Sequence, residues 1–264
     1  MRPLMLGTAA VTALGAAVHA LPAVTIQGAV RRRLWPRLSG AGPAARIALT
    51  FDDGPDRTST PLFLRLLEQT PVRATFFLLG AMLDRDPGLG RELVAAGHEV
   101  AVHGWEHRNL LWRSPAATYA DIARARDRIA TVTDELPIWY RPPYGVLTMA
   151  ALLACRRLDL TPRLWTAWGR DWEASRPPEL IWQTIIKDLD GGGTVLLHDS
   201  DCASTPGAWR GALAVLPRLI DWAGERHLAI GTLSAHTHAE VERSDPMVRR
   251  RRYGRRAHGG GGSG

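Results

Sequence analysis

From Arg46 onward, short runs rich in apolar and β-branched residues alternate with longer runs whose apolar positions recur every three or four residues. The short runs predict strands at residues 46–51, 73–79, 99–103, 139–141, 164–168, 194–198 and 229–233. The longer runs predict helices at 60–69, 88–96, 116–132, 147–158, 178–189 and 209–226. Most of the strand runs are apolar throughout, the pattern of parallel strands covered on both faces. Six or seven β-then-α units predict the α/β class and a single parallel barrel, closed or nearly so, with a doubly wound open sheet as the alternative. No internal repeat is visible.

Upstream the pattern changes. Residues 3–30 contain no Asp, Glu, Lys or Arg, and residues 4–18 are rich in Leu, Ala, Val and Gly. Val18-His19-Ala20 offers small residues for signal cleavage before Leu21-Pro22. The chain therefore divides into an apolar signal or anchor segment (1–30), a basic linker (31–45), an α/β domain (46–235) and a basic, Gly-rich tail (236–264) expected to be disordered. A buried apolar helix is the alternative for the first segment. The Arg31–Arg33 cluster on its far side works against an export orientation. A cell-envelope or secreted protein is expected, with cytoplasmic retention open.

Composition narrows the classes. The chain has 264 residues, 45% hydrophobic and 22% charged, a globular balance that excludes wholesale disorder. The net charge of +7 would suggest nucleic acid, but its location does not. Residues 1–42 carry five arginines and no acid, and residues 243–258 carry seven arginines and Asp245. Removing these two flanks leaves residues 43–242 at −4, so no nucleic-acid partner is expected. The flanks read as solvated arms suited to anionic wall polymer or lipid head groups. Two cysteines, Cys155 and Cys202, cannot make a disulfide scaffold or a four-cysteine zinc site.

The chemistry gathers at the C-terminal ends of the predicted strands, the rim where parallel barrels collect reactive groups. Asp52 and Asp53 follow the first strand and point in different directions, so one can bind a cation while the other handles a proton. His103 and His107 end the third; at i, i+4 on one turn of helix both imidazoles face the same way. With Asp53 they make a two-His-one-carboxylate set with open positions, a site for zinc, cobalt, manganese or nickel. Arg141, fixed by Tyr140 and Pro142-Pro143, suits pairing with a carboxylate, and the turn at Tyr144-Gly145 can aim a backbone N–H at an oxyanion. His198 ends the sixth strand, where Asp171 can orient it as a general acid. His98, His236 and His238 read as structural, and Cys202 as a bystander.

With these residues in order, the sequence resembles the polysaccharide deacetylase family, the NodB-type carbohydrate esterases (carbohydrate esterase family 4). The match runs from about Arg46 to Leu233 through TFDDGP (50–55), HGWEH (103–107), RPPYG (141–145), DW (171–172) and LLHD (196–199). The resemblance implies a distorted (β/α) barrel and a metal-dependent N-deacetylase acting on an acetylated, N-acetylglucosamine-type glycan. It makes Asp52 the base, and Asp53, His103 and His107 the ligands of one divalent metal, zinc first. Arg141 then pairs with Asp52, the Tyr144 N–H faces the oxyanion, and Asp171 tunes His198, the acid. Leu196 and Trp172 wall the acetyl pocket. Two positions depart from the family pattern: Gly104 replaces the usual Ser or Thr, and Trp168 stands where an acid is often found. The site region is also rich in Trp (Trp105, Trp112, Trp165, Trp168, Trp172).

Three rival readings use the same residues. His103-Gly-Trp-Glu-His107 also fits an inverted zinc-peptidase pattern with Glu106 as base, which requires a long helix. A same-fold amidase or esterase on a small non-glycan substrate, and an inactive glycan-binding module, keep the fold. The glycan, the metal and the oligomeric state are not readable from sequence.

Overall fold

The structure, a computed structural model, describes residues 13–173 and 175–237. The start of the apolar segment (1–12), His238, the Arg-rich tail and the terminal glycine run lie outside these residues.

Eight parallel strands form one curled sheet: β1 (Arg46–Asp52), β2 (Thr75–Leu79), β3 (Glu99–Gly104), β4 (Trp139–Tyr140), β5 (Thr161–Pro162), β6 (Ala167–Trp168), β7 (Thr194–His198) and β8 (Ala229–Gly231). Their order is β5-β4-β3-β2-β1-β7-β6. The β1 edge opposite β7 is shared, with β8 pairing at Arg46–Ala48 and β2 at Thr50–Asp52. The sheet is thus a half-barrel with β5 and β6 as its edges, the distorted barrel expected rather than a closed one.

The two-residue period of a strand decides which side chains reach the site. Ile47, Leu49 and Phe51 pack outward into the main core with the helices, as do Val195 and Leu197 of β7. Ala48 of β1, Phe77, Ala101 and Trp139 pack together on the inner face. Asp52 shares the parity of Ala48, His103 that of Ala101, Arg141 that of Trp139, and His198 that of the inward Leu196. One inner face therefore receives all four groups at its upper end.

From Gly28 onward the described helices are α1 (Gly28–Leu34), α2 (Thr60–Glu68), α3 (Gly80–Arg85), α4 (Pro87–Ala95), α5 (Pro115–Thr133), α6 (Met149–Arg157), α7 (Pro178–Asp188) and α8 (Trp209–Glu225). Local signals explain their starts: Ser114 and Thr148 accept from the amides of Ala117 and Ala151, and Pro115 and Pro178 open α5 and α7. Helix α3 was not expected, because six residues are too few to establish a period.

The seam between β5 and β6 is held by a side chain. Arg141 Nε and Nη2 donate to the carbonyls of Arg163 (3.1 Å) and Leu164 (2.9 Å). Leu164 N–H in turn donates to Leu38 O. The predicted strand at 164–168 therefore shrinks to Ala167–Trp168.

The apolar segment folds against the barrel. Residues 13–20 are helical, Leu21–Ile26 forms a 3₁₀ turn, and α1 leaves at 94° to that stretch. No single helix among the described residues is long and apolar enough to cross a membrane. Arg31, placed by sequence in a solvated basic stretch, is only 1% exposed. It donates to Thr25 O and Trp165 O, both at 2.6 Å, while Arg32 reaches Thr166 O and Asp188. A guanidinium unit is the donor set that can satisfy several buried carbonyls at once. Cys155 and Cys202 are both free thiols.

Candidate active site and metal centre

Asp52, Asp53, His103, His107, Tyr144 and His198 line one cavity of about 510 Å³ at the upper end of the sheet. Asp53 sits at φ 76° immediately after β1, so its carboxylate turns away from that of Asp52. Gly54 follows because nothing larger fits: a Cβ there would lie 2.4 Å from Asp199 Oδ2. Asp199, pushed up to about 7 by burial, accepts from Thr60 Oγ1 and backs this turn.

Asp53 Oδ1 lies 3.3 Å from His103 Nε2 and 3.5 Å from His107 Nε2. The three ligand atoms all fall within 4.8 Å of one another. Asp53 Oδ1 is buried with no hydrogen-bond partner among the described residues. His103 Nδ1 is engaged with Arg141 O at 2.8 Å, which leaves Nε2 as the free lone pair. Burial, helped by His103, holds His107 down to about 4 against the pull of Asp53, so its imidazole is neutral near pH 7. Burial opposes the Asp53 charge, but His103, His198 and His107 outweigh it and hold the carboxyl near 2. A carboxylate and two imidazoles converging on one point, one oxygen orphaned, are the donor set that a divalent cation satisfies.

The helical turn expected for His103 and His107 is not what brings them together. His103 is the last residue but one of β3 and His107 follows a bend, with ring centroids 5.3 Å apart. Gly104 sits at φ 104°, and a Cβ there would lie 2.9 Å from Asp121 Oδ2. That carboxylate accepts from Trp105 N–H at 2.9 Å. Asp121, reaching across from α5, thus braces the loop that lacks a Ser or Thr hydroxyl.

Arg141 is fully buried behind Asp52, with Nη1 2.6 Å from Asp52 Oδ1 and 2.9 Å from Thr50 Oγ1. Thr50 Oγ1 in turn donates to Val195 O at 2.6 Å. Phe77 packs its ring face 4.0 Å from the guanidinium carbon. The other Asp52 oxygen faces the histidine side, 3.9 Å from His103 Nε2. Tyr144 adopts φ 59° in the turn, its N–H has no acceptor among the described residues, and its ring meets that of His107 edge-on at 4.3 Å.

Asp171 lies behind His198 and is 2% exposed. Its Oδ2 accepts from the His198 backbone N–H at 2.7 Å, and Oδ1 stands 3.1 Å from Nδ1. Burial disfavours the charged imidazole, but the Asp171 carboxylate more than offsets this and raises His198 to about 10. An imidazole that must be charged to donate loses that capacity as pH rises through its pKa. Asp171→Asn should therefore move the alkaline limb of the pH–rate profile down by about one to three pH units. It should also lower kcat by about ten- to a hundredfold. An unmoved limb in that variant would exclude the pair from the titration.

Trp165, Trp168, Trp172 and Leu196 line the cavity, but Trp105 and Trp112 do not. The Trp105 ring lies under Arg124 and over Gly80, and Trp112 is 86% exposed. Glu106 is exposed and pairs with Arg108 at 2.9 Å, so the peptidase reading has no base at the triad. His98 is a buried acceptor for Ala74 N–H, held down near 4 by burial and Arg73. His236 contacts Gly40 O and Gly192 O. Sequence reasoning missed Ile26, Gly28, Ala29, Arg31 and Arg32 as cavity residues. No local signal separates them from a leader and a solvated basic run.

Comparison with known proteins agrees with this geometry. Residues 39–162 match the polysaccharide deacetylase family. The peptidoglycan-N-acetylglucosamine deacetylase of Bacillus cereus is 33% identical over 73% of this chain and 89% of its own length. That of Listeria monocytogenes is 32% identical over 62% of this chain, which spans only 34% of that longer protein. A CE4 family pseudoenzyme from Bacillus anthracis shares the fold, with a TM-score of 0.66, 21% identity and coverage of 73% and 65% of the two chains. That fold is therefore shared with a pseudoenzyme.

Proposed function

Because this chain belongs to the polysaccharide deacetylase family, we propose that it hydrolyses N-acetyl groups from N-acetylglucosamine units of a cell-wall or surface glycan, releasing acetate. The observation that supports this most is the convergence in one cavity of three distinct devices. These are an Asp-His-His ligand set, a carboxylate gripped by a buried arginine, and a histidine charged by a buried aspartate.

Asp53, His103 and His107 would hold a divalent cation, zinc first among zinc, cobalt, manganese and nickel, which would supply Lewis acidity toward an amide carbonyl and toward water. Asp52 takes the proton of the attacking water. Arg141 keeps that carboxylate oriented and its charge compensated. The Tyr144 N–H donates to the oxygen that becomes negative as the carbonyl carbon turns tetrahedral. His198 gives its proton to the departing nitrogen, so that an amine rather than an amide anion leaves. Leu196 and Trp172 enclose the acetyl methyl. The products are acetate and a free amino sugar.

We place the protein at the cell envelope or outside the cell, with the Arg-rich flanks near anionic wall polymer or lipid. Residues 13–30 expose Leu14, Val18, Leu21 and Val24 and carry no charge, as an element meeting a lipid surface would. The test is incubation with N-acetylglucosamine oligomers and with intact wall glycan. Free amines and acetate should appear in equal amounts. Glycan binding without either product, from protein shown to hold one metal per chain, would overturn the reading in favour of a binding module.

A further inference from the structure

We propose that the cleft carries a second subsite, an apolar slot for the alkyl chain of an amphiphilic sugar substrate, formed between the N-terminal segment and a ladder of tryptophans. The proposal rests on the deacylase reading for its substrate, but not for its binding.

The ladder starts at the general acid. From His198 the ring centroids step 5.6 Å to Trp172, 4.7 Å to Trp168 and 5.5 Å to Trp165. At its far end Arg31 lies 5.2 Å from the Trp165 ring and donates to Trp165 O, which fastens α1 to this wall. Ile26, Gly28 and Ala29 line the same cavity as the ladder. The polar groups nearby are already committed: Arg31 to two carbonyls, Arg32 to Thr166 O and Asp188, and Thr166 Oγ1 to Thr194 O. A sugar ring needs partners for its hydroxyls when it leaves water, and among the described buried side-chain groups of this slot only Arg31 Nε is left without one. A chain of methylenes needs none, and each one buried improves binding about fourfold.

Size points the same way. The cavity of about 510 Å³ that holds the Asp-His-His set falls in the range that takes a whole drug-sized ligand, so it has room for a sugar unit together with a substituent on it. The segment that walls the slot also exposes Leu21, Val24, Leu34 and Trp35, and carries Arg33 and Arg37 with no acid between residues 13 and 45. That apolar and basic face suits an anionic lipid surface, where sugars bearing alkyl chains reside. The alkyl chain can come from a lipid aglycone or from an acyl group longer than acetyl on the amine.

Titration calorimetry of octyl and methyl β-D-glucoside, below micelle formation, into the metal-loaded full chain reads the slot without turnover, because neither probe has an acyl group. The octyl glycoside should bind at least about tenfold more tightly than the methyl one. Ala29→Trp, which fills the slot, and Ile26→Asp, which makes it polar, should each shrink that ratio toward one. A preference in kcat/KM for octyl over methyl N-acetylglucosaminide assigns the slot to the aglycone. A preference for N-octanoyl over N-acetyl glucosamine assigns it to the acyl group. Equal binding of the two glucosides, or a ratio unchanged in both variants, overturns the proposal. Selective octyl binding by a protein that hydrolyses no acyl sugar would sink the deacylase reading and leave the slot standing.

Discussion

Asp52→Asn should lower turnover by about 10² to 10⁴-fold while one metal per chain is retained. The substitution keeps the shape of the side chain and an oxygen for Arg141 Nη1, now 2.6 Å from Asp52 Oδ1. What it removes is the ability to accept a proton. Asp52 lies behind the ligand set rather than in it: its nearer approach to a histidine is 3.9 Å, against 3.3 Å for Asp53. Metal content by mass spectrometry should therefore match that of the unsubstituted protein. Arg141 is left buried without a full negative partner, so the melting temperature should fall, and breaking such a pair outright costs about 3–5 kcal/mol. Circular dichroism would separate that loss of stability from the loss of chemistry. Normal turnover in a folded, metallated variant would remove Asp52 from the proton path.

Asp53→Asn should act on the other half of the site. Asp53 supplies the only negative charge in the ligand set, and its Oδ1 has no other partner. An amide in its place presents a neutral oxygen, so metal affinity should fall by at least about a hundredfold, with activity following metal occupancy. Added zinc should recover part of the rate. No such recovery is expected for Asp52→Asn, which never lost its metal. Equal metal loss in the two variants would contradict this division of labour.

Most of the site was legible because strand parity and strand ends are written in the sequence. A run such as Ile47–Asp52 tells a reader that Asp52 shares a face with Ala48 and stands at the rim. The same logic places His103, Arg141 and His198 on that face. Contacts between distant, locally featureless segments were not legible. Arg31 reads as one of three solvated arginines, because its two acceptor carbonyls lie at Thr25 and, 134 residues away, at Trp165. The run 164–168 reads as a strand because its apolar side chains are visible and the Arg141 guanidinium that takes its first carbonyls is not. The i, i+4 spacing of His103 and His107 fits a helical turn as well as a strand end and a bend. Gly104 at φ 104° beside Asp121 settles it for the bend. Trp105 and Trp112 show the converse error: aromatic residues next to a motif need not face its cavity.

The most direct test of a metal-dependent deacetylase is acetate release from N-acetylglucosamine oligomers by protein stripped with chelator and then titrated with zinc. Release should vanish on stripping and return linearly up to one equivalent per chain, the capacity of the Asp53–His103–His107 site. Acetate release that survives complete removal of metal would contradict the account.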